Sequence, residues 1–378
     1  MRVLHCPTTI GGNPQGLSKA EKEIGLESKS ITFHQNLFNY KADEVIYSQD
    51  TGMLMAEYLR WKTILTEIPK ADIIHYNFGQ WLAPREFKSD IGRVPKIVRR
   101  LYNSIYLSRT MAMDLRFARK LNKVIAVTYQ GDDARQLDFV KKHYKIHFAH
   151  EEDYDSSLFF SDSHKRKEIN LFDRYADLIY ALNPDLLNVL PKRTKYMAYA
   201  SVDPREWSCL PIDDLIEEPH VVHAPSDRTV KGTRYLIEAM ERLKSEGFRF
   251  TYTLVEGYSN REAKEIYKTA DLLVDQLLVG FYGGLSVELM ALGKPVICYL
   301  REEDIQLLPR EMKEEIPIIN AQPNTIYEVL KEWLTVRKGD IKKKGIESRR
   351  YVEKWHDPIK IAKSLKIDYQ AILEKKGK

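Results

Sequence analysis

A chain of 378 residues is too long for one small core and suits two domains of ordinary size. Its 43% hydrophobic and 30% charged residues are the balance of a soluble globular protein, and no run of about 18 apolar residues occurs, so no membrane span is expected. The formal net charge of +5 is uneven: Thr335 to Lys378 carries 14 Lys/Arg against 6 Asp/Glu, which leaves the remainder at about −3.

Arg93 to Lys123 is a second basic block, with only Asp114 opposing its nine Lys/Arg. Such blocks suit an anionic membrane surface or nucleic acid, although a solvated helix face is the commoner origin. The three cysteines, Cys6, Cys209 and Cys298, are too few and too far apart for a disulfide framework or a zinc site. A reducing, cytoplasmic location is expected, and Arg2-Val3-Leu4-His5 leads straight into a strand with no signal peptide.

Arg2 to Cys6 reads as a strand that opens into a loop carrying Gly11, Gly12 and Gly16, followed by a helix rich in Lys and Glu. The loop lacks the glycine spacing of a dinucleotide fingerprint, because Asn13 occupies the middle position, and Gly16 is followed by Leu17 where an NTPase phosphate loop needs Lys. Two readings of Gly11 and Gly12 remain, a ligand-lining loop and a bare strand-to-helix turn. Ser30–His34 reads as the second strand, Met53–Ile68 as a helix and Ala71–Tyr76 as the third strand. Pro95–Leu121 reads as a basic helix with Ile97, Val98, Leu101, Ile105 and Met111 on its apolar side. Lys123–Thr128 is the fourth strand, and Gln130-Gly131-Asp132-Asp133 follows its carboxyl end, where ligands bind in open α/β sheets. His143, His147 and His150 recur at helical spacing but read as a polar surface segment rather than a metal site. Asp177–Ala181 and Lys195–Ala198 complete the strands of the first half, and their alternation with helices implies a mainly parallel sheet.

The aperiodic stretch 201–219 is the expected linker between a domain over 1–200 and a second over 220–355. The second half restarts with the strand His220–Ala224 and a loop holding Arg228 and Lys231, then a helix with Leu236, Ile237, Met240 and Leu243 inward. Phe250–Val255 and Ala270–Asp275 are further strands. After the second comes Gly280-Phe281-Tyr282-Gly283-Gly284-Leu285-Ser286-Val287-Glu288, a glycine loop running into a helix. Glycines admit a ligand close to the backbone, and free N–H groups at a helix start favour a phosphate. Glu288 lies one turn into that helix and leans back towards the loop, where a carboxylate suits a sugar diol rather than a phosphate. Arg228 and Lys231 follow a strand end on the same rim, so the two loops together make a diphosphate site with a ribose contact. Bases at a helix start oppose its dipole, which sets these two apart from ordinary surface charges. The final segment, 356–378, reads as a helix long enough to fold back over the first domain.

These residues resemble the family-4 glycosyltransferases over nearly the whole chain, most sharply from Ala224 to Tyr299. The resemblance implies the GT-B fold: two Rossmann-like α/β domains with parallel sheets facing a central cleft. It implies that Arg228 and Lys231 grip the donor diphosphate as the catalytic pair. Gly283, Gly284, Leu285 and Ser286 would form the donor loop, with Glu288 on the ribose. Gln130 and Asp133 stand in the loop that usually carries a histidine near the donor sugar, and Gln130 replaces that histidine. Gly280 stands where the family usually has a second glutamate that contacts the transferred sugar. Tyr282, Asp275 and Gln276 are candidate replacement contacts, and Glu168, Asp132 and Asp133 are the carboxylates expected near the cleft.

The implied activity is transfer of a hexose from a nucleotide-diphospho-sugar, a UDP-sugar foremost, to a glycan or lipid-linked acceptor, with retention and without a metal or other cofactor. A nucleotide-sugar-binding protein that has lost catalysis, and a nucleotide-sugar epimerase, are the alternatives. Peripheral contact with an anionic membrane through 93–123 is expected from the basic block, and no nucleic-acid partner is expected, since no recognised binding module accompanies the charge.

Overall fold

The computed structural model describes residues 1–378 apart from 8–10, 35–39, 49, 85–100, 157–159 and 210–215. Among the described residues the strands are β1 (Arg2–Cys6), β2 (Glu27–Thr32), β3 (Glu44–Val45), β4 (Ile73–Asn77), β5 (Val124–Tyr129), β6 (Leu178–Ala181) and β7 (Lys195–Tyr196), then β8 (His220–His223), β9 (Thr251–Leu254), β10 (Leu272–Val274), β11 (Val296–Cys298) and β12 (Ile319–Asn320). The first seven form one sheet in the order β3-β2-β1-β4-β5-β6-β7, and the last five form another in the order β12-β11-β10-β8-β9. The registered pairs run parallel, as in Val3↔Ile73, Ile73↔Val124 and Leu273↔Val296. β4 and β5 are buried along their whole length, which is why they read as continuous apolar runs rather than alternating ones.

Each sheet reverses its strand order once, between β1 and β4 in the first and between β8 and β10 in the second. Those reversals are the places where a doubly wound sheet opens a crevice at its carboxyl edge. The period of two along the strands sorts the second core into two layers. Val222, Leu273, Val296 and Cys298 join one cluster, while Val221, Leu272, Val274 and Ile297 join the other.

Two compact units divide the chain. One comprises Met1–Asp133, Lys167–Tyr180 and Ala362–Lys378, the other Ala134–Arg166 and Ala181–Ile361. The last helix, Pro358–Lys375, enters the first unit through buried Ala362, Leu365 and Tyr369. The Tyr369 hydroxyl lies 2.6 Å from Nδ1 of buried His75, and the Tyr180 hydroxyl donates to Asp368 over 2.7 Å.

Several elements depart from the sequence reading. The first helix begins at Asn13, ahead of Gly16, because Pro14 fits the first turn and Gly12 caps it. Of the expected helix 95–121, residues 95–100 lie outside the described ones. The rest is broken: a π turn over Tyr102–Leu107 and a short turn over Ser108–Thr110 precede a helix Met113–Lys120, with Ala112 left-handed at φ +53 between them. The histidines do not share one helix face either. The Leu137–His143 helix ends at His143, while His147 is buried and caps a separate turn, Phe148–His150.

Candidate functional site

The second unit concentrates the predicted residues at the β8/β10 reversal. Asp227 Oδ1 accepts from the Val230 N–H (2.9 Å) and so fixes the short turn Arg228–Lys231 directly after β8. Gly232 follows at φ +72, a conformation that glycine adopts without strain. The turn aims Lys231 inward, where its ammonium donates to Asp275 Oδ1 (2.7 Å) and Gln276 Oε1 (2.8 Å). Asp275 is fully buried just past β10, and its other oxygen accepts from the Ser286 hydroxyl (2.6 Å) and the Gly283 N–H (3.3 Å). One carboxylate thus ties the Lys231 cation to the first turn of the Gly284–Ala291 helix. Burial alone would raise the Asp275 carboxyl. Lys231, then Ser286 and Gly283, outweigh it and hold the group below its ordinary value.

Arg228 sits apart from this knot. It is exposed and makes a two-pronged bond to Glu256, at 2.8 and 2.5 Å. Glu288 is half-buried within the Gly284–Ala291 helix. Burial, then the charges of Glu288 and Asp275, push the Tyr267 hydroxyl above its ordinary value, which places all three in one electrostatic neighbourhood. Gly283 has an extended φ of −110, and a Cβ on Gly284 would meet no protein atom within 4 Å. Neither glycine is demanded by the protein's own packing, so the surface at Gly284 has room for another molecule. Leu285 packs half-buried against the core.

Two predicted contacts belong to the protein interior. Tyr282 is fully buried, with its hydroxyl 2.9 Å from that of Tyr351 and 3.0 Å from His356 Nε2, so it is a core residue rather than a loop contact. Gly280 has φ +98, and a Cβ there would stand 2.5 Å from Arg301 Nη1. The Arg301 guanidinium, not a carboxylate, fills this place. It is buried, pairs with Asp304 (2.6 Å), donates to the carbonyls of Ile146 (3.0 Å) and Val279 (3.2 Å), and stacks on the Tyr144 ring at 3.6 Å. Sequence reasoning missed Arg301. The available signal was its place just past β11, on the rim that supplies Lys231 and Gly283.

The remaining predicted residues gather in the first unit, past β1 and β5. Gly11 takes φ +66, and a Cβ on it would lie 3.5 Å from Gln130 Oε1. Gly12 is glycine because a Cβ would come within 2.5 Å of the Tyr40 ring, so side-chain packing accounts for it. Asp133 turns back on its own loop, accepting from the N–H groups of Gln130 (3.1 and 3.0 Å) and Gly131 (2.7 Å). Among the described residues no three His, Cys, Asp or Glu side chains gather as a metal-ligand set, and no helix is long and apolar enough to cross a membrane.

No family model matches the chain, and no curated protein matches its sequence. Solved structures do. Sucrose-phosphate synthase from Thermosynechococcus elongatus superposes with a TM-score of 0.60 at 14% identity, covering 99% of each chain. Anabaena HepE in complex with UDP-glucose gives 0.60 at 12% identity, covering 98% of this chain and 99% of that one. The catalytic domain of starch synthase IV from Arabidopsis thaliana, bound to ADP and acarbose, gives 0.58 at 11% identity over 99% of each. At such identity the likeness is one of fold: the chain has the α/β fold of the GT-B glycosyltransferases.

Proposed function

We propose that the chain is a glycosyltransferase that takes a nucleotide-diphospho-sugar, a UDP-sugar foremost, at the β8/β10 reversal and passes the sugar to a glycan or lipid-linked acceptor. The reading includes retention at the anomeric carbon and no requirement for a metal. The observation that carries it is the convergence of the Lys231 ammonium and the start of the Gly284–Ala291 helix on the single Asp275 carboxylate, beside the open surface at Gly284. Solved relatives of the same fold with UDP-glucose or ADP bound support it.

In this reading Asp275 holds the cation and the helix start in fixed relation. A diphosphate beside Gly284 would take hydrogen bonds from the helix's free N–H groups and lie close to Lys231. Arg228, at the surface, would exchange Glu256 for a phosphate oxygen. Both cations then stabilise the negative charge that grows on the diphosphate as the bond to the sugar breaks. Glu288 accepts from the ribose hydroxyls. Calorimetry and donor turnover test the assignment. Glu288→Ala should weaken UDP binding by about tenfold, the loss expected for a hydrogen-bonded carboxylate, and leave pyrophosphate binding unchanged. Unchanged turnover in both Glu288→Ala and Arg228→Ala would remove the site.

The packing of Arg301 against Gly280 favours a second reading, a nucleotide-sugar-binding protein without transfer, because no carboxylate stands at that position. Tight donor binding with no product from any acceptor pool would select it.

A further inference from the structure

Two helical stretches of the first unit share an exposed face that the nucleotide site does not use. Glu57, on the Met53–Lys70 helix, accepts from the hydroxyls of Tyr102 (3.3 Å) and Tyr106 (2.9 Å), and the Trp61 indole donates to Tyr106 (2.5 Å). The Glu57–Tyr102 and Trp61–Tyr106 pairs follow the order of two stretches that run in the same direction. On parallel neighbours, side chains next after the contact row of one helix and next before that of the other project to the same side. Leu54, Tyr58, Lys62 and Leu65 occupy that side on the first helix, and Leu101, Ile105 and Arg109 on the second.

All seven are exposed, Leu54 to 82% and Tyr58 to 61%. Of the 15 large hydrophobic residues exposed among the described ones, eight fall within Met53–Leu65 and Leu101–Met113, so the exposure is concentrated rather than scattered. The acids of the Met53–Lys70 helix and of residues 101–120 are turned away from this face or neutralised. Glu57 serves the two tyrosines, Glu67 pairs with Lys29 and Lys70, and Asp114 is buried beneath the Leu82 N–H. Lys62 and Arg109 therefore give the apolar face a net positive rim. A second copy of the chain, packed through a two-fold axis, would bring this rim against itself.

We propose that this face docks on an anionic lipid surface, with Leu54, Tyr58, Leu65, Leu101 and Ile105 entering the headgroup boundary and Lys62 and Arg109 meeting lipid phosphates. The sequence assigned the membrane contact to residues 93–123 alone. The structure adds the Met53–Lys70 helix, which supplies most of the apolar contact. Apolar insertion and cation attraction reinforce each other at such a surface, each cation contributing about fivefold in affinity.

Co-sedimentation of the full chain with vesicles tests the proposal. Binding is expected to phosphatidylcholine vesicles containing phosphatidylglycerol at low salt, and weak binding to phosphatidylcholine alone. Leu54→Glu/Ile105→Glu and Lys62→Glu/Arg109→Glu should each lower binding about tenfold or more while UDP binding by calorimetry stays unchanged, which separates this face from the nucleotide reading. No sedimentation with anionic vesicles at low salt, or sedimentation of both variants equal to that of the unaltered chain, overturns it. So does a dimer of the unaltered chain in sedimentation velocity that both variants convert to monomer, since the face would then belong to a second copy.

Discussion

At the scale of single residues, the candidate site depends on charges that neutralise one another inside the protein. Asp275 is fully buried and Lys231 nearly so, and breaking such a pair leaves an uncompensated charge costing about 3–5 kcal/mol. Lys231→Ala should therefore lower stability by that order in denaturant unfolding and also abolish UDP binding. Lys231→Arg should recover part of the stability without restoring the geometry at Gln276. Gly280 makes a second prediction. Alanine there meets both a positive φ and the Arg301 guanidinium, itself fixed by Asp304 and Tyr144, so Gly280→Ala should cost about 2 kcal/mol or more. In an Arg301→Ala background the same change should cost clearly less, and additive costs would show that the two residues do not interact. Neither relation was legible in the sequence. Lys231 and Asp275 are 44 positions apart, and the glycine at 280 announces only that something lies close, not that it is an arginine from past the next strand.

At the scale of elements, the Gly280–Glu288 stretch was readable because its parts carry local signals: a buried apolar strand ahead of it, then glycines running into an apolar helix. β4 and β5 were readable for the same reason. The helix around 101–120 was not, because the charge and apolar spacing of its sequence continue smoothly through Ala112, where the backbone turns left-handed. The histidines misled in a similar way. Spacing of three and four is a helix signal only while the helix lasts, and this one stops at His143. The last helix offers a test at this scale. Tyr369 supplies the partner of His75 Nδ1 inside the first unit, while Thr128 meets Nε2 at 2.6 Å. Tyr369→Phe leaves a buried ring nitrogen without its partner and should lower stability by about 1–3 kcal/mol with little change of shape. An unchanged unfolding midpoint would mean that His75 is satisfied in another way.

For the molecule as a whole, buried histidines set the response to acid. Burial holds His223 and His356 down to about 4, and burial also pushes His75 and His147 below the ordinary 6.5. The unfolded chain takes these protons near 6.5 and the folded chain does not, so stability falls as pH drops from 6.5 towards 4. Each of the first two contributes up to about 3 kcal/mol over that window. Asp114 works in the opposite sense. Burial raises it to about 6, so the folded state gains protons first and is stabilised by roughly 3 kcal/mol as pH falls from 6 to the unfolded 3.8. Asp304, also raised by burial, adds to that side, and Asp275, held low, begins to cost stability only below the ordinary carboxylate range. By pH 4.5 His223 and His356 lose about 2.5 kcal/mol each and Asp114 returns about 2, so these three groups alone should leave the protein about 3 kcal/mol less stable to guanidinium at pH 4.5 than at pH 7, with His75 and His147 deepening the loss and Asp304 opposing it. His356→Gln removes one titrating group while keeping a polar side chain near Tyr282, and should shrink the difference by close to half or more. Asp114→Asn removes the opposing carboxyl group and should enlarge it. A pH difference that neither substitution moves would assign the acid response to groups other than these buried ones.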